Sequence, residues 1–438
     1  MTEQNIPYGK DSVTVRVPDS AHILSPAVQD PPVLRNEQIA DALENPIGTP
    51  ALSSLISNAN PSTVAITISD ITRAVPNKVF MPEILRVLRD SGISDDAVTI
   101  IVGTGMHRPS TPEEHEELLG PDIVSRYRVI DHKADDAEGL LRVSEDPYVA
   151  VNALFAEADF KIVTGFIEPH FMAGFSGGRK GVCPALVDLQ TIQRFHGYET
   201  LSDPRAKEGV LNGNPCHEVS LDVARRVGVD FLFNVAINKN KEIVGVYCGE
   251  LEAAHQAGCG DVAKWTGVKL EQTYDIVVTH GGGYPLDQNF YQTVKGMCLA
   301  LPALHTDSKL LLVSACTQQL GSEEYTTLMK RYSRGRWRQF LADAAKRTDV
   351  TEKDQWELQL QTRVLERIGE ENVLFFSDHM EQGLQEIANV RPILGEEPVE
   401  NRLQQTLDEL LAENPSASIA VIPGGPYTIL EVASNVLH

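Results

Sequence analysis

The sequence predicts an α/β protein of two domains, each built on a mostly parallel sheet. Three observations predict it. Short apolar runs rich in β-branched residues recur between longer helical stretches, the pattern of successive βα units. Most of these runs do not alternate cleanly between apolar and polar residues, as expected of strands covered on both faces. The chain also has 438 residues, more than one core of ordinary size holds.

In chain order the expected strands are Val13–Val17, Thr63–Ser69, Val98–Val102, Phe160–Thr164, Phe231–Ala236, Ile276–Thr279, Lys309–Ser314, Asn372–Phe376 and Ser418–Ile422. Helical patterns lie between them at Pro82–Asp90, Asp188–Phe195, His217–Val227, Asp354–Arg367 and Asn401–Ala412. A boundary falls near residues 266–274, where the helix ending near Lys264 gives way and a new βα series opens at Asp275. The expected division is an N-terminal domain over 1–268 and a C-terminal domain over 269–416. The last strand and turn, 417–438, are expected to return to the N-terminal domain. There is no internal repeat at a fixed period.

Composition narrows the function. The 61 acidic against 38 basic residues give a formal charge of -23, which repels nucleic acid and anionic lipid. An anionic ligand therefore needs a local cluster of donors. No apolar run reaches the roughly 18 to 20 residues needed to span a bilayer. Met1 to Asp11 is polar and lacks the basic-then-apolar pattern of a signal peptide. The six cysteines are scattered, with no C-x-x-C pair, so the expected compartment is the reducing cytoplasm.

Parallel α/β proteins bind ligands at the carboxyl ends of their strands, and four expected strands end in chemically capable residues: Thr63–Ser69 runs into Asp70, Val98–Val102 into Gly103, Phe160–Thr164 into Gly165 and Ile276–Thr279 into His280 and the glycines Gly281, Gly282 and Gly283. Asp70, Ile71, Thr72 and Arg73 offer backbone N–H groups, a hydroxyl and a guanidinium, an inventory that suits a phosphate or, equally, a surface turn capped by Asp70. Gly103-Thr104-Gly105-Met106-His107-Arg108 starts like a dinucleotide loop but lacks the third glycine of a dehydrogenase fingerprint. His107 is either a general base or a structural donor.

The densest segment is Glu168 to Lys180, E-P-H-F-M-A-G-F-S-G-G-R-K. Its glycines permit close approach of the backbone to a ligand, and Ser176, Arg179 and Lys180 supply donors. A lysine beside an arginine has its ammonium disfavoured and its amine made more nucleophilic. The alternative is a glycine-rich turn with solvated basic residues. His196 is a helix-capping histidine or a metal ligand; it lacks a zinc or calcium constellation, so a metal there needs further ligands from a cofactor. Gln292 and Lys295, at i and i+3, share one helix face and can address one carboxylate, or both are solvated. Trp356 is a pocket wall or core.

At these residues the sequence resembles the nickel-dependent lactate racemase family across nearly the whole chain. The resemblance rests on D-I-T-R at Asp70–Arg73, G-M-H-R at Gly105–Arg108 and, above all, G-F-I-E-P-H-F-M-A-G-F-S-G-G-R-K at Gly165–Lys180. It continues through His196, Gly213-Asn214-Pro215, Tyr291-Gln292-x-x-Lys295 and Asp354-Gln355-Trp356. After Lys180 the chain reads Gly181-Val182-Cys183-Pro184-Ala185, with alanine where the family pattern leads one to expect glycine.

The resemblance implies a nickel-pincer nucleotide, Ni(II)-pyridinium-3,5-bisthiocarboxylate mononucleotide, joined covalently to Lys180 and ligated through its nickel by His196. It implies that Asp70, Ile71, Thr72 and Arg73 hold the nucleotide phosphate and that His107 and His170 are paired bases. Gln292, Lys295 and Arg73 then bind the substrate carboxylate, and Tyr291 and Trp356 line the pocket, in a cleft between the domains. The implied reaction is racemisation or epimerisation of a small 2-hydroxy acid: one histidine takes the hydroxyl proton as C2 loses hydride, and hydride returns to the opposite face. The implied partners are the substrate and, transiently, the proteins that make the cofactor, with neither nucleic acid nor membrane. Two rival readings are an NAD-type dehydrogenase and a non-catalytic protein that carries the nickel nucleotide.

Overall fold

The computed structural model describes residues 1–26, 31–238, 240–347 and 351–432. They form two compact units. One comprises Val28–His196 and Asp203–Trp265; the other comprises Met1–Ala27, Gly197–Ser202 and Thr266–His438.

The first unit is built on a six-stranded sheet in the order Ile243–Gly249, Phe231–Ile237, Phe160–Phe166, Val64–Ser69, Val98–Gly103, Arg128–Asp131. All neighbours run parallel except the first pair. The strand period of two divides the side chains between two cores. Ile66, Ile68, Ile100 and Val102 join one, covered by Phe80, Met81, Ile84 and Leu88 of the helix Asn77–Asp90. Ala65, Ile101 and Val163 join the other, covered by Val182, Leu186, Val223 and Ala254. Burial on both faces is why these strands read as apolar runs rather than alternating ones. The helix expected from Pro82 begins five residues earlier, at Asn77. Pro82 lacks the N–H that would reach the carbonyl of exposed Lys78, where water can take its place.

The second unit carries a wholly parallel six-stranded sheet in the order Arg391–Pro392, Val373–Phe376, Leu304–Val313, Tyr274–His280, Ile419–Val421, His22–Ile23. Here the division differs from the one the sequence predicts. The terminal strand Ile419–Val421 pairs with Ile276–Val278 of this unit, and Ile429–Val432 pairs with Gly267–Leu270, so the end of the chain does not return to the first unit. Residues 433–438 of that expected segment lie outside the described residues. The N-terminus also belongs here: the antiparallel hairpin Thr2–Tyr8 and Asp11–Val17 buries Ile6, Val13, Val15 and Val17 against Leu403 and Leu407 of the helix Val399–Glu413. An apolar run carries the same pattern whichever sheet it joins, so its sequence predicts a strand without predicting the partner. No helix among the described residues is long and apolar enough to cross a membrane.

Candidate active site

In the first unit, Val64–Ser69 lies between Phe160–Phe166 and Val98–Gly103, so the loops that follow these three strands emerge side by side. Chain order also reverses between Val64–Ser69 and Phe160–Phe166, the switch point where open α/β sheets bind ligands.

The first two loops meet in a single hydrogen bond. His107 Nδ1 lies 2.6 Å from Asp70 Oδ2. Asp70 Oδ1 accepts from the Thr72 hydroxyl at 2.6 Å and from the Thr72 N–H at 3.2 Å. Burial works to raise the Asp70 pKa; the hydrogen bond and charge of His107, the Arg73 charge and Thr72 outweigh it and hold the carboxyl below its ordinary value. An ionised carboxylate only accepts, so Nδ1 carries a hydrogen and Nε2 is the His107 nitrogen placed to exchange a proton with a ligand. The His107 side chain is 54% exposed, against 9% for Asp70, so a ligand can reach the ring while its partner stays dry.

This geometry changes the reading of Asp70-Ile71-Thr72-Arg73. Both oxygens of Asp70 are engaged by neighbouring side chains, the Thr72 and Arg73 N–H groups turn back onto Asp70, and Ile71 packs against the core. Of the four residues, Arg73 is the one that brings a cation, with its Nη1 resting on the Thr72 carbonyl and hydroxyl. The glycines Gly103 and Gly105 likewise serve internal packing. A Cβ on Gly103 would stand 2.8 Å from the Ala185 methyl, and the Gly105 N–H donates to the Ala185 carbonyl at 3.0 Å.

The third loop forms a small hairpin that pairs Pro169–His170 with Gly174–Phe175. His170 Nδ1 accepts from the N–H of Ala173 at 3.2 Å and of Met172 at 3.4 Å, which places the ring hydrogen on Nε2. The two histidines are thus set oppositely, His107 with an accepting Nε2 and His170 with a donating one. Buried Arg179 holds this loop, donating to the carbonyls of Ala173 at 2.6 Å and Phe175 at 2.9 Å. Gly174 sits at φ +77°, and a Cβ there would lie 2.1 Å from the Val210 carbonyl oxygen. Gly174→Ala is therefore expected to cost about 1–3 kcal/mol or more, read as a lower midpoint in thermal unfolding followed by circular dichroism.

Lys180 is the third residue of the short turn Gly178–Gly181, its Nζ 4.9 Å from the centroid of the Phe195 ring. Burial, then the charges of Arg179 and Arg73, bring its pKa down to about 7. An amine that is substantially neutral near pH 7 is a competent nucleophile. His196 caps the helix Leu189–Phe195, and its Nδ1 lies 3.0 Å from the Ile192 carbonyl oxygen. A carbonyl accepts, so Nδ1 is the protonated nitrogen and Nε2 holds the lone pair suited to a metal. Burial, with Lys180 and His107 adding to it, lowers the His196 pKa to about 3 and keeps the ring neutral. These effects tie Arg73, His107, Lys180 and His196 into one electrostatic cluster.

In the second unit, Asn289 caps the helix Phe290–Leu299, accepting from the Gln292 N–H at 3.0 Å. Trp356 is 6% exposed and donates its indole N–H to the Tyr291 hydroxyl at 2.6 Å. Burial drives the Tyr291 pKa well up, with Glu357 and Asp354 adding to the shift. Gln292 and Lys295 share the first two turns of their helix, as their spacing predicts, and the Gln292 Oε1 is buried with no hydrogen-bond partner among the described residues.

Sequence reasoning missed one pairing and one residue. Asp70 was read as a cap or a phosphate ligand, although an Asp and a His at the ends of adjacent strands are a recognisable pair. Glu357, fully buried on the helix that packs along the one bearing Lys295, was hidden by a run, Gln355-Trp356-Glu357-Leu358-Gln359, that looks half solvated; every one of those side chains is buried.

A parallel sheet that sets an Asp–His pair beside a weakly basic lysine at its switch point defines an α/β enzyme. The chain belongs to the lactate racemase family: it matches the lactate racemase N-terminal domain over residues 8–209 and the lactate racemase C-terminal domain over residues 269–430. It is an isomerase, of the racemase kind. It is 33% identical to the lactate racemase of Lactiplantibacillus plantarum, over 98% of this chain and 100% of that one. It is 34% identical to the lactate racemase of Thermoanaerobacterium thermosaccharolyticum, over 83% of this chain and 86% of that one. The solved lactate racemase apoprotein from the latter organism superposes with a TM-score of 0.89 at 32% identity, over 98% of this chain and 100% of that one. A Thermotoga maritima protein of 15% identity shares the fold, with a TM-score of 0.65 over 93% of this chain and 100% of that one.

Proposed function

We propose that this enzyme racemises a 2-hydroxy monocarboxylic acid, lactate first among them, using a nickel-pincer nucleotide attached covalently at Lys180. The observation that supports this most is the cluster of Lys180, His196, Arg73 and His107, in which one amine is nucleophilic near neutral pH and one imidazole is held neutral with its hydrogen on Nδ1. Family membership supports it independently.

The donor set fits such a group. Lys180 would carry the attachment, His196 would ligate the metal, and Arg73 would face the phosphate. Among the described residues no three His, Cys, Asp or Glu side chains stand together where they could hold a metal ion, so a metal at His196 needs its other ligands from the nucleotide. Burial pushes the nearby Cys183 thiol up to about 12, which keeps it protonated and a poor ligand. When bound, the group supplies a hydride acceptor, a chemistry absent from protein side chains.

The chain's own residues do the rest. Lys295 and Gln292 fix the carboxylate, and the Trp356–Tyr291 pair presents an apolar wall to the substituent on C2. His107 Nε2 takes the hydroxyl proton, and Asp70 stabilises the imidazolium that results. His170, set as a donor, serves the oxygen of the keto acid on the opposite face, and the roles exchange in the reverse direction. A carrier of the nucleotide has no use for the Asp70–His107 pair. The proteins that make the cofactor are its transient partners, and six free, buried cysteines support a place in the cytoplasm.

The test is a panel of single-enantiomer 2-hydroxy acids incubated with cofactor-loaded enzyme and resolved by chiral chromatography. Lactate or a near homologue is expected to reach an equimolar mixture from either enantiomer. Turnover of none of them, with epimerisation of a sugar acid at another carbon, overturns racemisation at C2.

A further inference from the structure

The helix that packs along the one bearing Lys295 carries a buried carboxyl group that the reaction above does not use. Glu357 stands in the first turn of the helix Gln355–Ile368, which packs along Phe290–Leu299. It is 0% exposed, and neither of its carboxyl oxygens has a hydrogen-bond partner among the described residues. A buried carboxylate left in that condition is costly, and the cation whose charge favours its ionised form is Lys295. Lys295 itself is only partly buried, so its ammonium stays within reach of a ligand while its charge acts on Glu357.

We infer that Glu357 exchanges a proton with solvent as part of substrate binding: it takes one up when a hydroxy-acid carboxylate settles on Lys295, and so weakens carboxylate binding as the pH rises. The inference rests on the assignment of Lys295 to the substrate. Its physical basis is charge count. Lys295 is the one cation acting on Glu357 and Asp354 already acts against it, so a second carboxylate drawn to that ammonium leaves excess negative charge beside a fully buried carboxyl group. Protonation of Glu357 removes that charge without moving a side chain.

The groups acting on Glu357 agree with this role. Burial raises its pKa, Lys295 lowers it and Asp354 raises it, and the outcome is about 8. From the neighbouring helices, Tyr291 and Tyr325 feel its charge in turn. Five further elements pack on the same helix, namely Tyr198–Ser202, Trp337–Ala344, Leu301–Ala303, Glu370–Asn372 and Leu304–Val313. The first and last bring it the carbonyls of Tyr198, Leu201 and Leu304; among the described residues none of the five, Glu370 and Glu371 included, brings an ionisable group that acts on Glu357. At pH 7 Glu357 is mostly protonated, and binding exchanges little. At pH 9 it is mostly ionised, and binding draws in close to one proton.

The experiment is calorimetric titration of racemic lactate into the cofactor-loaded enzyme, in buffers of different ionisation enthalpy, so that turnover adds no net heat. The dissociation constant is expected to be flat up to about pH 7.5. Above about pH 8 it rises, by up to roughly tenfold per pH unit, with close to one proton taken up at pH 9. Glu357→Gln keeps shape and removes the charge; it should bind as the parent does at pH 7 and lose both the pH dependence and the uptake. Parent enzyme that binds at pH 9 without proton uptake overturns the inference, whether or not the variant folds, as does a Glu357→Gln enzyme that still takes up the proton. Lys295→Ala separates the layers. If it binds lactate like the parent, the carboxylate assignment itself fails; if it binds at least tenfold more weakly while the parent exchanges no proton, only the role of Glu357 falls.

Discussion

Lys180→Ala, produced together with the cofactor-making proteins, is expected to emerge with no covalent adduct, while the parent chain gains the mass of the nucleotide. The effect should be all or none, because attachment needs one particular nucleophile. An amine near its ordinary pKa of about 10.4 is more than 99% protonated at pH 7. At Lys180, burial and the two neighbouring guanidinium groups bring the pKa to about 7, which leaves roughly half of the amine neutral there. The other features of the turn survive the substitution. Arg179 still ties the carbonyls of Ala173 and Phe175, and Asn234 Oδ1 still accepts from the Gly178 N–H at 2.7 Å. Loss of the adduct therefore reports on the side chain and not on a collapsed loop. Lys180→Arg sharpens the test, since it keeps the charge and removes the nucleophile. Intact-protein mass spectrometry reads all three chains, and an undiminished adduct in either variant sinks the attachment claim.

How much of this was legible in the sequence depends on the distance over which each feature is decided. Strands such as Val98–Gly103 and Phe160–Phe166 are decided locally, by β-branched runs buried on both faces, and their positions follow from the pattern. The placement of Ile419–Val421 beside Tyr274–His280, and of the N-terminal hairpin in the same unit, is decided by cores that draw on residues hundreds of positions apart. Site residues divide in the same way. Lys180 and His170 stand in one glycine-rich segment whose composition already marks it. The hydrogen bond between Asp70 and His107 joins two strand ends, and only the strand order shows that they are neighbours. Glu357 was the least legible. Its helix carries polar residues on every face, a pattern that ordinarily means solvent, and its significance comes from burial that no periodicity reports.

His107→Ala and His170→Ala are each expected to lower the rate of racemisation by roughly 10²- to 10⁴-fold, the ordinary value of a positioned general acid or base. Both should keep the adduct on Lys180, since neither supplies the attachment. The two losses need not be equal, because the rings are set differently: His107 is oriented by an ionised carboxylate, His170 by two backbone N–H groups. Asp70→Asn distinguishes orientation from mere presence. An asparagine amide can donate to Nδ1 of His107, which would move the ring hydrogen to Nε2 and leave no lone pair to accept the hydroxyl proton. That variant is expected to lose on the order of 10²-fold or more in kcat, with the KM for lactate little changed because Asp70 touches His107 rather than the carboxylate. Asp70→Ala would also remove the Thr72 contacts and so confuse chemistry with loop order. Initial rates from each enantiomer, measured with adduct occupancy fixed by mass spectrometry, decide the matter. Near-parent racemisation by His107→Ala or His170→Ala refutes the paired roles. A fully active Asp70→Asn leaves His107 in place and removes the carboxylate from the mechanism.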